Sequence, residues 1–229
     1  MNIKPVLKEN NWSNIIEVAN KCEAQNYWKI CDEIDIQLSG YFDETVTLQI
    51  WDFNHFDKSD GNGKANILFG MKHLMKNKQC MDTFYFNDGG WNDSYMRTTV
   101  MKNIYESIPK YIRSHIKEVN TYANAGNGSK SESIGLLSTD KVFIPGLSEI
   151  YNNQEDQNKT ETGQKKFPIF GNNSSRIKRL NNGSGPAEYW WSRSHYCYSC
   201  TGFCGFGYDG RSYNYAASRS SGVCVCFNI

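Results

Sequence analysis

The chain has 229 residues, a formal net charge of +1 and 21% charged residues, and this length is enough to bury a sizeable core in one large domain. Its basic residues are scattered, which excludes the electrostatic footprint of a nucleic-acid-binding protein, and the one short basic cluster, RIKRL at 176–180, is predicted to be a solvated loop edge. No signal peptide and no long apolar run is found, so we expect no direct membrane insertion. The chain would then be associated with a virion or delivered to a surface by a partner, and would otherwise be cytoplasmic.

The first third of the chain predicts a helical lead-in followed by a hairpin. Residues 1–27 form the partly helical lead-in, anchored by Trp12, Ile15, Ile16 and Val18. Two strand-like runs follow at 27–38 and 45–54, with an SGYFDE turn between them. The second run alternates apolar residues on one face, which is typical of a half-buried strand. The apolar run at 65–75 is predicted to be buried.

The middle of the chain predicts helices. Asn92, Asp93 or Ser94 can cap a helix in which Met96, Val100, Ile104 and Ile108 repeat every four residues. Pro109 should end or kink this helix, and the segment 110–116 should add another turn or two. Residues 142–151 predict a strand and then a short helix, 152–187 long loops, and EYWWSRS a strand. Strands at both ends with helices between them indicate an α+β fold.

Five of the eight cysteines lie in the tail, at Cys197, Cys200, Cys204, Cys224 and Cys226. Thiolates at such spacings can converge on zinc. The second group is C-x-C instead of C-x2-C, however, and five candidates serve four positions, so a zinc site stays an alternative. The predicted site contains no metal and no cofactor.

The remaining motifs give no catalytic residues. The four histidines are dispersed outside any nucleophile or metal motif. The stretch WDFNHFDKSDGNGKAN at 51–66 lacks the ligand spacing and closing Glu of a calcium loop, and is predicted to be a polar turn. We therefore expect that the protein is not an enzyme.

The tail is distinguished by the residue types that it lacks. Residues 194–229 contain no Lys, Glu, Gln, Met or Trp, although these types make up 49 of the first 193 residues. At that frequency a stretch of this length without any of them would arise by chance roughly a few times in 100,000. Polar Ser, Asn, Arg, Asp and His are present, so solvation does not explain the gap.

A genetic filter does explain it. If either adenine of an AAC or AAT codon becomes any base and the third base is kept, Lys, Glu, Gln, Met and Trp are never encoded. Every residue from 194 to 229 belongs to the set that such a codon can reach. Cysteine is one member of that set, which accounts for a cysteine cluster without ligand spacing. An ordinary loop and strand rich in Gly and Tyr is the plainer alternative.

Several segments together carry a resemblance to a known class of proteins. They are WDFNHF, LFGMKHLM, GGWNDSYMR, STDKVFIPGLSEIY, RIKRLNNGSGPAEYWWSRS and the closing GVCVCFNI. With the filtered tail, they resemble the variable proteins of diversity-generating retroelements, in which a template is copied with adenine-specific errors into the 3′ end of a target gene. The body also resembles a family of uncharacterised domains common in gut bacteria and their phages.

This resemblance implies a C-type-lectin-like fold, related to that of formylglycine-generating enzymes. Its N- and C-terminal strands would share an antiparallel sheet, with two or more helices and long loops. The lead-in would span 1–27, the lectin-like domain 28–229, and the hypervariable segment about 195–224. The chain departs from the usual pattern at Ser192, where such proteins have Leu, and at His195 and Val225, where they have Pro.

The resemblance also implies which residues bind and which support. Scaffold positions would be Trp190, Trp191, Arg193, Phe203, Gly210, Gly222, Val223 and Phe227, together with Ala217, Ser220 and Ile229. Residues between them would point outward and bind ligand: Tyr196, Cys197, Tyr198, Cys200, Thr201, Gly205, Gly207, Tyr208, Arg211, Ser212, Tyr213, Asn214, Tyr215, Ala216, Ser218, Arg219, Ser221 and Cys224. Cys204 would have a fixed, packed role.

The expected function is therefore ligand or receptor recognition by a hypervariable surface, in a phage receptor-binding or surface-display protein. The partner would be a protein or glycan on a cell surface, and the chain could form an oligomer or be tethered to a larger phage or surface assembly. Two alternatives remain open: an enzyme of the formylglycine-generating type, and a cysteine-bound zinc interaction module.

Overall fold

The structure, a computed structural model, describes residues 2–126, 135–151 and 164–229. It combines helices with antiparallel sheets, which confirms the α+β class. The α-helices are α1 (Trp12–Asn20), α2 (Gly90–Asp93), α3 (Lys102–Ser107), α4 (Lys110–Arg113), α5 (Leu147–Ile150) and α6 (Asn173–Arg176). The strands are β1 (Glu33–Gln37), β2 (Thr45–Phe53), β3 (Ile67–Met71), β4 (Val119–Asn124), β5 (Gly135–Asp140), β6 (Val142–Phe143), β7 (Lys178–Arg179), β8 (Ala187–Glu188), β9 (Trp190–His195), β10 (Gly202–Phe206), β11 (Ser212–Ala216) and β12 (Cys226–Asn228).

The main sheet has five strands in the order β1-β2-β3-β12-β6. The C-terminal strand β12 lies inside this sheet, because Phe227 pairs with Phe69 of β3 and with Val142 of β6. Each pair of neighbouring strands in this sheet is antiparallel. The expectation that the first and last strands share one antiparallel sheet is thus confirmed.

The predicted hairpin forms, but its first strand is shorter than the predicted run 27–38, because β1 begins only at Glu33. Strands β1 and β2 pair antiparallel from Glu33 opposite Gln49 to Gln37 opposite Thr45. The alternating residues Val46, Leu48 and Ile50 are buried, so this face of the hairpin belongs to the core.

The lead-in contributes to the same core. Helix α1 begins after Asn11, whose side chain accepts a hydrogen bond from the backbone N–H of Asn14 at 2.9 Å. All four predicted anchors are buried in one cluster that also contains the C-terminal Ile229: Trp12, Ile15, Ile16 and Val18. Residues 7–24 therefore pack onto the domain.

The helical middle is interrupted but lies where the periodicity places it. After α2, a π-helical segment over Met96–Met101 runs directly into α3. The predicted stripe of Met96, Val100, Ile104 and Ile108 is buried. Helix α3 ends at Ser107, with the extended residue Ile108 between it and Pro109, and α4 then adds one turn, as predicted. The strand and short helix predicted for 142–151 are β6 and α5.

The segment predicted to be long loops is partly ordered by short elements. Residues 152–163 lie outside the described residues. Within 164–187 the chain forms α6, β7, a 3₁₀ turn at Asn181–Gly183 and the start of β8, so this stretch is more regular than its composition indicated.

The prediction that RIKRL is a solvated loop edge is wrong for two of its three basic residues, while Arg179 is exposed as predicted. Arg176 and Lys178 are both buried. The ammonium of Lys178 donates to the carbonyl oxygens of Met71 at 2.7 Å and Lys72 at 2.9 Å, and lies 5.0 Å from the ring centroid of Trp51. Backbone carbonyls and aromatic faces replace water around this cation.

The remaining strands form smaller sheets. Strands β11-β10-β9 form a three-stranded antiparallel sheet, and β4-β5 and β7-β8 form two-stranded ones. The three-stranded sheet carries most of the distinctive tail. Across the described ranges, no helix is long and apolar enough to cross a membrane.

Candidate ligand-binding surface

The tail supplies the end of strand β9, the buried strand β10 and the exposed outer strand β11 of one sheet. In the sheet β11-β10-β9, every residue of β9 and β10 is buried, whereas every residue of β11 is exposed or partly exposed. Strand β11 pairs with β10 from Gly202 opposite Ala216 to Phe206 opposite Ser212. The outer strand and the turns at its ends therefore form the accessible part of the tail.

Ten of the eleven predicted scaffold residues are buried, and the prediction is wrong for Ser220, whose side chain is exposed in the turn after β11. The indole N–H of Trp190 donates to the carbonyl of Arg176, and that of Trp191 donates to the carbonyl of Gln79, each at 2.9 Å. The Trp190 ring packs against that of Phe206, with 4.4 Å between the ring centroids. These contacts tie β9 to two distant segments of the chain and hold the sheet in place.

A buried ion pair fixes the strand next to these tryptophans. The Arg193 guanidinium donates to both carboxylate oxygens of Glu149, at 2.8 Å for the Nη1–Oε2 contact, and both side chains are fully buried. It also donates to the carbonyls of Tyr122 and Ile144. A bidentate pair with additional acceptors gives Arg193 one orientation.

The turn between β10 and β11 is anchored at Gly210. This residue has φ of +75°, and a Cβ there would lie 2.0 Å from the carbonyl oxygen of Asn173. The Arg176 side chain donates to the Gly210 carbonyl at 2.8 Å. Only glycine fits both the left-handed backbone and this close approach. Helix α6 thus holds the turn that presents Tyr208 and Arg211.

Four tyrosines and one arginine gather on the exposed side of this sheet, and we call them the tyrosine cluster: Tyr189, Tyr208, Tyr213, Tyr215 and Arg219. Ring centroids of Tyr189 lie 5.1 to 5.8 Å from those of the other three tyrosines. The Arg219 guanidinium lies 4.1 Å from the Tyr215 ring centroid and 5.0 Å from that of Tyr189. Tyr189 meets its three neighbours edge to face, and Tyr213 and Tyr215 are stacked, so that these rings with a cation over them form an ordered aromatic surface.

The ionisation of the cluster favours hydrogen bonding. Burial raises the pKa of the Tyr215 phenol, and a hydrogen bond to Asp209 raises that of Tyr213. Burial alone would raise the pKa of Asp209, but hydrogen bonds from the backbone of Arg211 and the hydroxyl of Tyr213 keep it below its usual value. At neutral pH the phenols of Tyr213 and Tyr215 are therefore protonated hydrogen-bond donors, and Asp209 is a carboxylate.

The predicted ligand-binding residues divide into three groups by burial. Nine are exposed: Tyr198, Cys200, Tyr208, Arg211, Tyr213, Asn214, Ala216, Ser218 and Arg219. Four are partly exposed: Tyr196, Thr201, Ser212 and Tyr215. The expectation that the whole set points outward is wrong for five buried residues: Cys197, Gly205, Gly207, Ser221 and Cys224.

Three of the five buried residues make close contacts with the surrounding backbone. A Cβ at Gly205 would lie 2.4 Å from the carbonyl oxygen of Trp190, so the central strand leaves no room for a side chain there. Ser221 exchanges two backbone hydrogen bonds with Gln79, both at 3.0 Å. The Cys224 thiol donates to the carbonyl of Met71 at 3.4 Å.

All eight cysteines are free thiols. Burial raises the pKa of Cys224, and raises that of Cys226 well above its usual value, so both are protonated at neutral pH. Cys204 is also buried, and its thiol donates to the carbonyl of His195 at 3.5 Å. Within the part of the chain that the structure describes, no three His, Cys, Asp or Glu side chains converge as metal ligands would.

Sequence reasoning missed two parts of this surface. Tyr189 lies at the centre of the tyrosine cluster, and no alternation in the sequence marks it, because the next two residues, Trp190 and Trp191, are both buried. The second part is a loop with three exposed aromatic residues, Phe84, Tyr85 and Phe86. No local pattern connects this loop with a tail more than a hundred residues away.

Comparison with known proteins gives one family. Residues 64–229 match the family model described as "Domain of unknown function (DUF6273)", which covers well over half of the chain. No curated protein and no solved structure matches the chain.

Proposed function

The chain belongs to the DUF6273 family, a domain of unknown function, and we propose that it recognises a ligand through a hypervariable surface built on the outer strand β11 and its flanking turns. The ligand would be a protein or glycan on a cell surface. The setting would be a phage receptor-binding or surface-display protein, in which the chain acts as an oligomer or as part of a larger assembly.

One observation carries this proposal. The stretch that lacks Lys, Glu, Gln, Met and Trp also supplies the exposed outer strand and turns, while its apolar residues pack beneath them. A codon filter that changes residues at random is tolerable only where side chains face solvent, because core substitutions destabilise strongly. The tail thus pairs variable chemistry with an accessible site on a rigid base.

The chemistry of the exposed residues supports recognition. Tyr supplies a large contact area with few rotatable bonds, Arg supplies several hydrogen-bond donors, and Ser, Gly and Asn adapt to the partner. The tyrosine cluster brings these features together around Tyr215 and Arg219. Stacking orders its rings before any ligand arrives, which reduces the entropy lost on binding.

We further propose that the domain has the C-type-lectin-like fold and that residues 195–224 are diversified by adenine mutagenesis. The main sheet with its first and last strands together supports the fold assignment. In such an arrangement β12 would return the chain to the core after the variable segment, so that variation stays between two fixed strands.

The enzymatic alternative finds less support in the thiols. Catalysis of the formylglycine-generating type needs reactive cysteines, whereas burial raises the pKa of Cys224 and Cys226. The zinc alternative needs thiolates that converge on one point, and the five tail cysteines are spread over buried and exposed positions. We therefore propose neither.

The DNA around the gene tests the proposal. A nearby reverse transcriptase and a near-copy of the last hundred or so bases should be found, with mismatches confined to adenines of the copy. Mismatches distributed over all four template bases would contradict diversification by adenine mutagenesis.

A further inference from the structure

A loop outside the tail runs along the open end of the β10–β11 ribbon. The backbone N–H groups of Met81 and Asp82 both donate to the carbonyl of Ala217, at 2.9 and 3.0 Å. At the other end of the loop, the N–H of Asn87 donates to the carbonyl of Cys200 at 2.8 Å. The loop therefore begins beside one variable turn and ends beside another.

Asn87 fixes the second anchor. Its buried side chain donates to the carbonyl oxygens of Ser199 at 2.9 Å and Gly202 at 2.7 Å. These are backbone acceptors, so the contact survives any change of side chain at 199–202. The loop keeps its position whichever residues the tail carries.

Between these anchors the loop exposes three consecutive aromatic residues. Phe84 is 73% exposed, Tyr85 54% and Phe86 43%. The rings of Tyr85 and Phe86 lie 4.2 Å apart. Exposure of adjacent large apolar side chains to water is unfavourable. An exposed apolar patch of this kind is therefore typical of an interaction site.

We infer that Phe84, Tyr85 and Phe86 form a constant anchor of the binding surface, and that they pack against an apolar patch on a protein ligand. The inference rests on the proposed function, because the loop adjoins the predicted variable turns. The anchor would supply affinity common to all variants of the tail, and the variable residues beside it would select among ligands.

The charges around the loop favour a protein over a membrane. Asp82 and Asp88 flank the aromatic tip. Carboxylates on both sides of an inserting loop are repelled by the anionic lipids of a bilayer surface. The nearby cation of Lys78 is paired with Glu188.

A random peptide library displayed on phage tests the anchor. The full chain is immobilised, enriched peptides are synthesised, and their Kd is measured by fluorescence anisotropy against four proteins. These are the wild type, a loop variant (F84S/Y85S/F86S), a surface variant (Y208S/Y213S) and a control with two more exposed tyrosines changed elsewhere (Y41S/Y111S). Circular dichroism verifies that each variant is folded.

We expect enriched peptides to contain apolar side chains and to bind at least tenfold more weakly to both the loop and the surface variant, with the control unchanged. A loss confined to the surface variant would overturn the anchor and leave the proposed function standing. A loss confined to the loop variant would overturn the proposed function, and with it the place of the anchor beside a variable binding surface. No enrichment at all would overturn the anchor and its protein ligand, and leave a glycan ligand for the proposed function. Pelleting of the wild type with phosphatidylcholine–phosphatidylserine vesicles, abolished in the loop variant, would replace the protein ligand with a membrane.

Discussion

The guanidinium of Arg219 lies 4.1 Å from the ring centroid of Tyr215, on the exposed side of strand β11. Both residues belong to the stretch that the codon filter describes, yet the same guanidinium also reaches Tyr189, at 5.0 Å, next to the buried Trp190. The predicted variable surface is thus packed onto fixed structure. Its accessible residues should be replaceable without loss of the fold, while those beneath them should not.

Stability measurements separate these two layers. Tyr208→Ser and Asn214→Ser change exposed side chains, and each should alter the free energy of unfolding by no more than about 0.5 kcal/mol. Phe203→Ala, in the central strand β10, removes a ring that is 1% exposed and should lower it by about 3–5 kcal/mol. Urea unfolding followed by fluorescence gives the comparison. Equal losses in β10 and β11 would contradict the two-layer description.

Gly210 should be irreplaceable for two separable reasons. Gly210→Ala places a Cβ at a φ of +75° and 2.0 Å from the carbonyl oxygen of Asn173. Gly61 has the same φ, but nothing lies within 4 Å of a Cβ there, so Gly61→Ala measures the backbone effect alone. We expect about 1 kcal/mol of destabilisation at Gly61 and clearly more at Gly210. Equal effects in thermal unfolding would show that helix α6 does not constrain the turn.

The Arg193–Glu149 pair should be costly to break and less costly to replace. Glu149→Gln leaves the Arg193 cation buried without its carboxylate and should reduce stability by about 3–5 kcal/mol. In a double-mutant cycle, the double variant Arg193→Met/Glu149→Leu should lose less stability than the sum of the losses in the single variants Arg193→Met and Glu149→Leu. Glu17→Gln, which breaks the exposed pair with Lys21, serves as the control and should have no measurable effect. Additive losses at 193 and 149 would contradict the coupling.

Asp52 should make stability depend on pH in the acid range. Burial alone would raise its pKa, but hydrogen bonds from His55 at 2.8 Å and from Lys165 outweigh burial and keep the pKa below its ordinary value. Because the folded pKa is depressed, the stabilisation is present above the unfolded pKa of about 4 and is lost as the pH falls through the folded pKa. The stabilities of the wild type and Asp52→Asn should therefore differ at pH 7, begin to converge below about pH 4 and approach each other as the pH falls through the depressed folded pKa. A constant difference down to pH 2 would show that another group controls acid unfolding.

The local elements could be predicted because their information is local. The alternation of Val46, Leu48 and Ile50 predicts strand β2, and Pro109 predicts the end of the preceding helix. Both signals depend only on residues a few positions apart. Long-range contacts carry no such signal. The side chain of Asn87 donates to carbonyls that lie 112 and 115 residues later in the chain, and neither partner is recognisable by residue type.

The buried members of the tail show a different limit. The codon filter indicates which residues a gene can encode, but side-chain direction depends on strand pairing. Cys197 and Cys224 satisfy the filter and are nevertheless buried. Lys178 shows the converse, because the basic cluster predicted a solvent-exposed side chain, whereas its ammonium donates to the carbonyl oxygens of Met71 and Lys72. Whether these side chains are buried depends on strand register and tertiary contacts, and the composition of a segment does not specify either.

Sequencing of the last part of the gene from many independent clones of one natural population tests the central claim most directly. We expect substitutions to concentrate at exposed positions of the tail, such as Tyr208, Arg211, Asn214 and Arg219, with Phe203 and Gly205 unchanged. Lys, Glu, Gln, Met and Trp should never be encoded at the changing positions. Substitutions spread evenly over buried and exposed codons, or frequent Lys and Glu among them, would contradict the account.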